Sequence, residues 1–160
     1  MAVDYFLKID SIPGEATDKT HKAEIDLESW SWGESNSGSQ AYGGGGGAGK
    51  VQMQDFSFSM KVNKASPKLF LACATGQHIK EATLTCRKAG KDQQEYLKIK
   101  FSDLLISSYQ TGGSAGSEVP TEQIAFNFAK IEFSYAPQKE TGGLDSPLIH
   151  KYDLKTNTGG

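Results

Sequence analysis

Residues 66–76 predict the one helix of this chain, and the residues on either side predict strands or glycine-rich loops. Ser66 followed by Pro67 is typical of an N-cap and a first helical position, and Gly76 is a typical left-handed stop. The run 69–74 is apolar around the whole helix, so this helix needs cover on more than one side. A long loop of the same chain could supply that cover, and so could another subunit.

Alternating apolar residues predict about eight strands around this helix. The phase of the alternation slips near 28–29, which predicts a bulge or a change of face, and near 129–130, which predicts a bulge that bends the strand. The pattern favours a mainly β fold, an antiparallel barrel or sandwich with one α-helix packed at its side. We expect the glycine tail to fray. The predicted strands cover 5–10, 22–33, 51–62, 78–87, 96–101, 104–110, 124–135 and an edge strand through Tyr152 and Leu154.

Length and charge narrow the class of protein. The 160 residues fit a single domain, 1–160, with a long glycine-rich loop at 34–50 and a polar C-terminal segment at 138–160. A net charge of −2 gives no basic surface for nucleic acid or anionic lipid, and no window is apolar enough to insert in a membrane. We therefore expect neither nucleic acid nor a membrane as a partner.

The first ten residues carry no secretory signal, because Asp4 and Lys8 interrupt the apolar run. We expect the chain to fold in the cytoplasm, where cysteines stay reduced. Cys73 and Cys86 are therefore interpreted as small core residues without a disulfide.

Residues 44–50, GGGGAGK, match the spacing of a phosphate-binding loop up to its lysine. That loop requires Ser or Thr next, to hold Mg²⁺, and a helix to follow. Here Val51 follows and opens a predicted strand, so the motif argues against an NTPase, which stays a third and poorer reading. A loop as long as 34–50 is either disordered or functional.

No pattern predicts catalysis, a metal or a cofactor. The histidines His21, His78 and His150 lie far apart and are expected at the surface. Three carboxylates alternate with apolar residues on one strand, as a solvated face does, and no G-x-S-x-G elbow is present. These carboxylates are Glu24, Asp26 and Glu28. We expect a protein that is not an enzyme.

Seven segments occur in order along the chain: DYFLKID, GEATDKTHKAEID, ESWSWG, GGGGGAGKVQMQDFSF, NKASPKLFLACATGQHIKEATLTCRKAG, EYLKI and TGGS. In this order they closely resemble the haemolysin co-regulated protein family, the tube protein of bacterial type VI secretion. The resemblance spans nearly the whole chain. The combination is specific, although the glycine run alone is weak.

This resemblance implies a barrel-like fold of two sheets and eight strands with one helix. It further implies a homo-hexameric ring, stacking of rings into a hollow tube, and effector proteins carried in the lumen. The contractile sheath and the spike of the apparatus would be further partners. The protein would leave the cell for the extracellular space or a target cell without a cleaved signal peptide.

The resemblance also implies roles for particular residues. It places Ser31 of the WSWG motif toward the ring lumen, where it would contact effectors. Family members often have Trp where this chain has Tyr152, in the segment YDLKTN. The positions implied at ring-stacking or subunit interfaces are Gly43, Gly44, Gly45, Gly46, Gly47, Gly90, Tyr152 and Asp153.

Two functions of different classes remain open from the sequence. One is the ring-forming tube subunit, in which a neighbouring subunit covers part of the 66–76 helix. The other is a small-ligand or carbohydrate-binding β-sandwich whose glycine loops form the site. Native mass separates the two, because a hexamer indicates the tube and a monomer indicates the binding module.

Overall fold

A computed structural model describes residues 3–38, 50–88 and 93–160. In these ranges eleven strands and one helix follow one another along the chain. They are β1 (Val3–Ile9), β2 (Ile25–Asp26), β3 (Ser29–Ser31), β4 (Glu34–Asn36), β5 (Val51–Met53), β6 (Phe56–Lys61), α1 (Ser66–Thr75), β7 (His78–Lys88), β8 (Glu95–Gly112), β9 (Thr121–Tyr135), β10 (Leu148–Asp153) and β11 (Thr158–Gly159).

The strands close into an antiparallel barrel because the segment 25–31 changes partner midway. Its first half, β2, pairs with β1, and its second half, β3, pairs with β6. At the change, the backbone N–H of Leu27 donates to Tyr5 O at 3.0 Å, and the N–H of Glu28 donates to Ser59 O at 2.9 Å. The remaining ladders run β6 to β9, β9 to β8, β8 to β7 and β7 to β1. The phase slip predicted near 28–29 is this change of partner.

Beyond the closed barrel, β10 and β11 extend the sheet from the second half of β9. A separate two-stranded sheet, β4 with β5, stands next to the predicted glycine loop. Glu34–Asn36 is therefore a strand, and the prediction of loop from residue 34 is wrong at that end. The mainly β, antiparallel fold with one helix is confirmed.

Strands β8 and β9 form the longest ladder. The two predicted strands at 96–101 and 104–110 are one strand, β8, in which Asp103 takes a left-handed φ of 58°. Opposite Asp103, the alternation of buried and exposed residues in β9 changes phase, because Phe128 and Ile131 are both buried although they are three residues apart. The bulge expected at 129–130 is misplaced, because the register shift between these strands lies in β8, between Ile106 and Ser108.

Phenylalanine rings fill the barrel interior where β6, β8 and β9 meet. Phe56, Phe101 and Phe126 are fully buried, with ring centroids 4.9 to 5.1 Å apart. Burying such a ring stabilises the fold by roughly 1.5–3 kcal/mol. Cys86 belongs to the same core, Cys73 is half-buried on α1, and both are free thiols, as expected.

Helix α1 begins and ends close to its predicted limits. Gly76 is left-handed, with φ 66°, and its N–H donates to Ala72 O. The predicted N-cap is wrong by one residue, because Ala65 is the N-cap and has no side-chain capping bond. The Ser66 hydroxyl instead donates to the buried carboxylate of Glu122, at 2.5 Å. This bond fixes the first turn of the helix to β9.

The C-terminal glycines are paired, so the prediction that the tail frays is wrong. The N–H of Gly160 donates to Lys151 O at 3.0 Å, and Gly159 lies in β11. A Cβ on Gly159 would lie 2.9 Å from the Tyr152 ring. Because glycine leaves room for this close approach, the tail packs directly on β10.

Candidate assembly surfaces

A band of uncharged residues, most of them small, crosses the outside of β3, β6, β9 and the second half of β8. Partners in register point to the same side of a sheet, so each row of the ladder forms part of one surface. We call this band the serine face. Its two rows are Ser31, Ser57, Ala125 and Ser108, and Ser29, Ser59, Gln123 and Gln110.

The serine face is made mostly of hydroxyl and amide groups. Ser29, Ser31, Gln110 and Gln123 are exposed. The Oγ atoms of Ser29 and Ser59 lie 2.6 Å apart and share a hydrogen bond across the two strands. A surface of this kind offers hydrogen bonds without large apolar anchors, so each contact with another molecule stays weak and reversible. The predicted lumen residue Ser31 lies at one end of this face.

Two apolar patches lie away from the serine face. The helix patch is Phe70 and Leu71 on α1, which are 57% and 54% exposed. The sheet patch is Phe133, Tyr135 and Leu148, where Leu148 pairs with Tyr135 across β9 and β10. Its side chains are 41%, 43% and 64% exposed. Exposed apolar side chains that lie beside one another are candidates for an interaction surface.

The helix patch and the sheet patch contact opposite ends of β8. Phe70 packs edge-on against Tyr109, with centroids 6.3 Å apart, near the end of the strand. Tyr135 pairs with Leu97, near its beginning. Tyr109 comes twelve positions after Leu97, a separation of about 40 Å along an extended strand. One subunit therefore carries two apolar surfaces at separate places along β8.

Tyr152 and Asp153 hold the C-terminal hairpin together. One oxygen of Asp153 accepts the backbone N–H groups of Lys155 and Thr156, at 2.8 and 3.3 Å, and the other lies 3.7 Å from Lys130 Nζ. Tyr152 is half-buried and packs against the core. Strands β6 and β9 separate this hairpin from Ser31, so the structure does not bring these predicted positions together. Gly43 to Gly47 and Gly90 lie outside the described residues.

His21 is buried, with 8% exposure, so the prediction that it lies at the surface is wrong. Its ring stacks on the Phe6 ring with centroids 4.5 Å apart. The Cζ atom of Arg87 lies 4.9 Å from the centroid of the Phe6 ring. The sequence contained one signal of this cluster. Phe6 falls between Tyr5 and Leu7 in the outward phase of β1, and an outward phenylalanine requires cover. His78 and His150 are exposed, as expected.

Residues 3–38, 50–88 and 93–160 contain no group of three or more His, Cys, Asp or Glu side chains arranged to hold a metal ion. In the same ranges no helix is long and apolar enough to cross a membrane.

The described residues form a mainly β, antiparallel fold with one helix, a serine face and two exposed apolar patches. A sequence model of the family described as "Type VI secretion system effector, Hcp" matches residues 6–135. The chain belongs to this family. Its members are secreted structural tube proteins of type VI secretion, connected with virulence, and they are not enzymes.

Relatives match over nearly the whole chain. Protein hcp1 of Pseudomonas aeruginosa is 49% identical over 159 residues, which is 98% of each chain. Among solved structures, Hcp1 from Salmonella typhimurium superimposes with a TM-score of 0.83, at 36% identity and full coverage of both chains. A further type six secretion system protein reaches a TM-score of 0.92 at 29% identity, covering 99% of this chain and all of its own.

Proposed function

We propose that this protein forms hexameric rings, and that the rings stack into a hollow tube whose lumen carries effector proteins. The observation that carries this proposal is the pair of apolar patches at opposite ends of β8. A ring is closed by heterologous contacts, in which one surface of a subunit meets a different surface of the next. A subunit with two separate apolar surfaces meets that requirement.

In this ring the helix patch of one subunit meets the sheet patch of the next. Leu69 and Ala72 of α1 face the core, whereas Phe70 and Leu71 face outward and are available to a neighbour. Burying both side chains in the contact stabilises it by about 25 cal/mol for each Å² of apolar surface removed from water. The expectation that a subunit covers part of α1 follows from the same contact.

The serine face lines the lumen in this proposal, with Ser31 among the residues that touch cargo. Effectors of different sequence have few surface features in common, so a lining that serves them all works through small hydrogen-bonding groups. Weak contacts of this kind permit release as well as retention.

The remaining predicted positions belong to ring stacking. Gly43 to Gly47 and Gly90 would lie on one face of the ring, and the hairpin of Tyr152 and Asp153 would lie on the opposite face. The two faces would then meet between stacked rings. We further propose a single domain over 1–160, sheath and spike proteins as partners, and folding in the cytoplasm before secretion.

Deleting Gly43 to Gly47 is expected to leave single rings intact and to shorten the tubes seen by electron microscopy. Tubes of unchanged length would contradict the stacking role.

The small-ligand alternative gains no support from the barrel interior. Phe56, Phe101 and Phe126 occupy its centre with rings in contact, so no ligand fits at that level. A monomeric native mass would nevertheless favour this alternative over the tube.

Native mass spectrometry tests the ring. The wild-type chain is expected at six times the subunit mass, and the double variant Phe70→Glu, Leu71→Glu is expected as a monomer, because two carboxylates cannot be buried in an apolar contact. Val119→Glu is the matched control, since Val119 is exposed to 39% but lies outside both patches. A hexamer that survives the double variant would overturn the proposed contact.

Ser31→Trp tests the lumen. The variant is expected to form rings of normal mass that retain less effector in a pull-down, because a large ring replaces a hydroxyl on the serine face. Ser114→Trp is the control, since Ser114 is exposed in the loop between β8 and β9. Equal cargo retention by both variants would contradict the placement of Ser31 in the lumen.

A further inference from the structure

A charged cluster on the outside of β1 is used by none of the proposed assembly contacts. The loop 10–24, which joins β1 to β2, folds over this strand and buries Phe6 to 3% exposure. Two groups pack on the Phe6 ring, the imidazole of His21 and the guanidinium of Arg87. The loop is therefore anchored at two places, one through His21 and one through Arg87.

The anchor through His21 uses both nitrogens of the imidazole. Nδ1 lies 2.9 Å from Glu24 Oε2, and Nε2 contacts Glu95 Oε1 at the start of β8. A neutral imidazole has one N–H, and its other nitrogen is an acceptor that cannot bond a carboxylate. Both contacts are hydrogen bonds only when His21 is protonated.

The surroundings favour the protonated ring. Burial lowers the pKa of His21, but the hydrogen bonds to Glu95 and Glu24 outweigh it, and the net pKa lies above its ordinary value. The charged groups that face the cluster come from the loop, from β1, β2, β7 and from β8. Asp18 and Glu24 belong to the loop, Asp4 to β1 and Asp26 to β2. Arg87 belongs to β7, and Glu95 and Lys98 belong to β8.

The anchor through Arg87 does not titrate in the same range. Arg87 donates to Asp18 at 2.7 and 2.9 Å and to Asp4 at 3.1 Å. The hydrogen bond from Arg87 holds the pKa of Asp18 well below its usual range, and Arg87 itself stays charged. The loop is therefore still tied down at this place when the His21 contacts change.

We propose that His21, Glu24 and Glu95 form a pH-sensitive latch, which ties the loop 10–24 to the start of β8 when His21 is protonated and releases Glu95 when His21 is neutral. Glu95 is the group released because Lys98 Nζ lies 3.2 Å from it and keeps its charge paired. Glu24 is three residues from His21 in the same loop and stays within reach.

Release of Glu95 loosens two neighbouring segments. One is the loop, whose internal bonds run from Gly14 N to Ala23 O, from Ala16 N to Glu24 O and from Ala23 N to Ala16 O. The other is the base of the β7–β8 hairpin, where Lys88 N donates to Gln94 O at 2.9 Å. Since a raised folded pKa gives stability that is lost as pH rises, the latch is closed below about pH 6.5 and opens above the folded pKa of His21.

Hydrogen exchange of single amides tests the latch. Between about pH 6 and pH 8.5, the protection factors of the Gly14, Ala16 and Ala23 amides are expected to fall on the order of fivefold to tenfold, the effect of one lost hydrogen bond. The Val62 amide, which donates to Pro120 O elsewhere in the barrel, is expected to keep its protection and serves as the internal control.

Two variants separate the latch from general loosening. In Glu95→Gln, the new side-chain amide N–H can donate to the neutral imidazole, so the loop stays protected at both pH values. In His21→Gln, the ring that titrates is gone and protection is equal at both pH values. A flat wild-type profile, or a fall in Glu95→Gln as large as in the wild type, overturns the proposal. These readouts concern one subunit and do not depend on ring formation.

Discussion

The two outer surfaces of this barrel differ although they share strands β8 and β9. The serine face lies over the second half of β8, where the row Ser31, Ser57, Ala125 and Ser108 contains no charge. A charged face lies over its first half, where one row reads Lys8, Thr83, Lys100, Glu132 and Lys151. The boundary falls near Asp103, where the backbone takes a left-handed conformation.

The fold requires the inward residues of both faces and leaves the outward residues free for function. Beneath both faces the inward residues are aromatic or aliphatic and buried, because the barrel must be filled. The outward residues differ in kind. Lys100 pairs with Glu81 at 2.8 Å, and Lys130 approaches Asp153 at 3.7 Å, whereas the serine face has the hydroxyl pair of Ser29 and Ser59. Exposed ion pairs contribute little stability, so the contrast concerns partners more than folding.

The largest effect is expected from removing the core that both faces share. Phe126→Ala deletes a fully buried ring that packs on Phe56 and Phe101, and is expected to cost about 3–5 kcal/mol. Denaturant unfolding measures this. Phe70→Ala, at an exposed ring, is the control and is expected to cost under about 1 kcal/mol in the isolated subunit. Similar losses in the two variants would contradict the assignment of the core.

A smaller loss is expected from tight packing beside the charged face. In Gly14→Ala the new Cβ would lie 2.5 Å from the backbone O of Glu24, so the loop 10–24 must shift. We expect a cost of about 1–3 kcal/mol, measured by thermal or denaturant unfolding. Gly116→Ala meets nothing within 4 Å and is expected to change stability by less than about 0.5 kcal/mol. Equal stability of both variants would show that the loop is not packed closely.

The Arg87 anchor predicts an acid-dependent difference. Arg87 depresses the pKa of Asp18, so its stabilisation is present above the unfolded value of about 3.9 and is lost as pH falls through the folded pKa. Asp18→Asn is expected to lower the melting temperature at pH 6 to 7, and the gap to the wild type is expected to narrow toward about pH 2. Glu118→Gln, at an exposed loop position, should show no such convergence. A gap that stays constant with pH would exclude the ion pair as its cause.

The smallest effect is expected from making the charged face resemble the serine face. Lys100→Ser removes the exposed pair with Glu81 and is expected to cost about 0–1 kcal/mol, a difference that disappears near 1 M salt. Lys139→Ser, at an exposed lysine in the C-terminal segment 138–160, is the control. A loss that is large and insensitive to salt would show that the charged face stabilises the barrel itself.

Alternation predicted most of the strands, because inward residues must be apolar wherever the barrel is built, and the residues at its two ends predicted the helix and its glycine stop. It missed the strand Glu34–Asn36 and divided β8 into two strands. It could not predict the closure at Leu27 and Glu28 beyond a phase slip, nor the surface on which Ser31 lies, because both depend on register. His21 was misplaced because its decisive partner, Glu95, is 74 residues away. The tail was misjudged because Gly159 is fixed by the Tyr152 ring, which no local pattern reveals.

Strand β8 has a mechanical consequence for a subunit that is pushed end on. Its 18 residues are hydrogen-bonded to β7 or β9 along their length, and the Ser107 hydroxyl at its bulge donates to Asp55 at 2.5 Å. A load along this strand puts many backbone bonds in shear together, instead of peeling them one at a time. Force applied near Leu97 would therefore reach Tyr109 through a single uninterrupted strand, with no turn between them to absorb it.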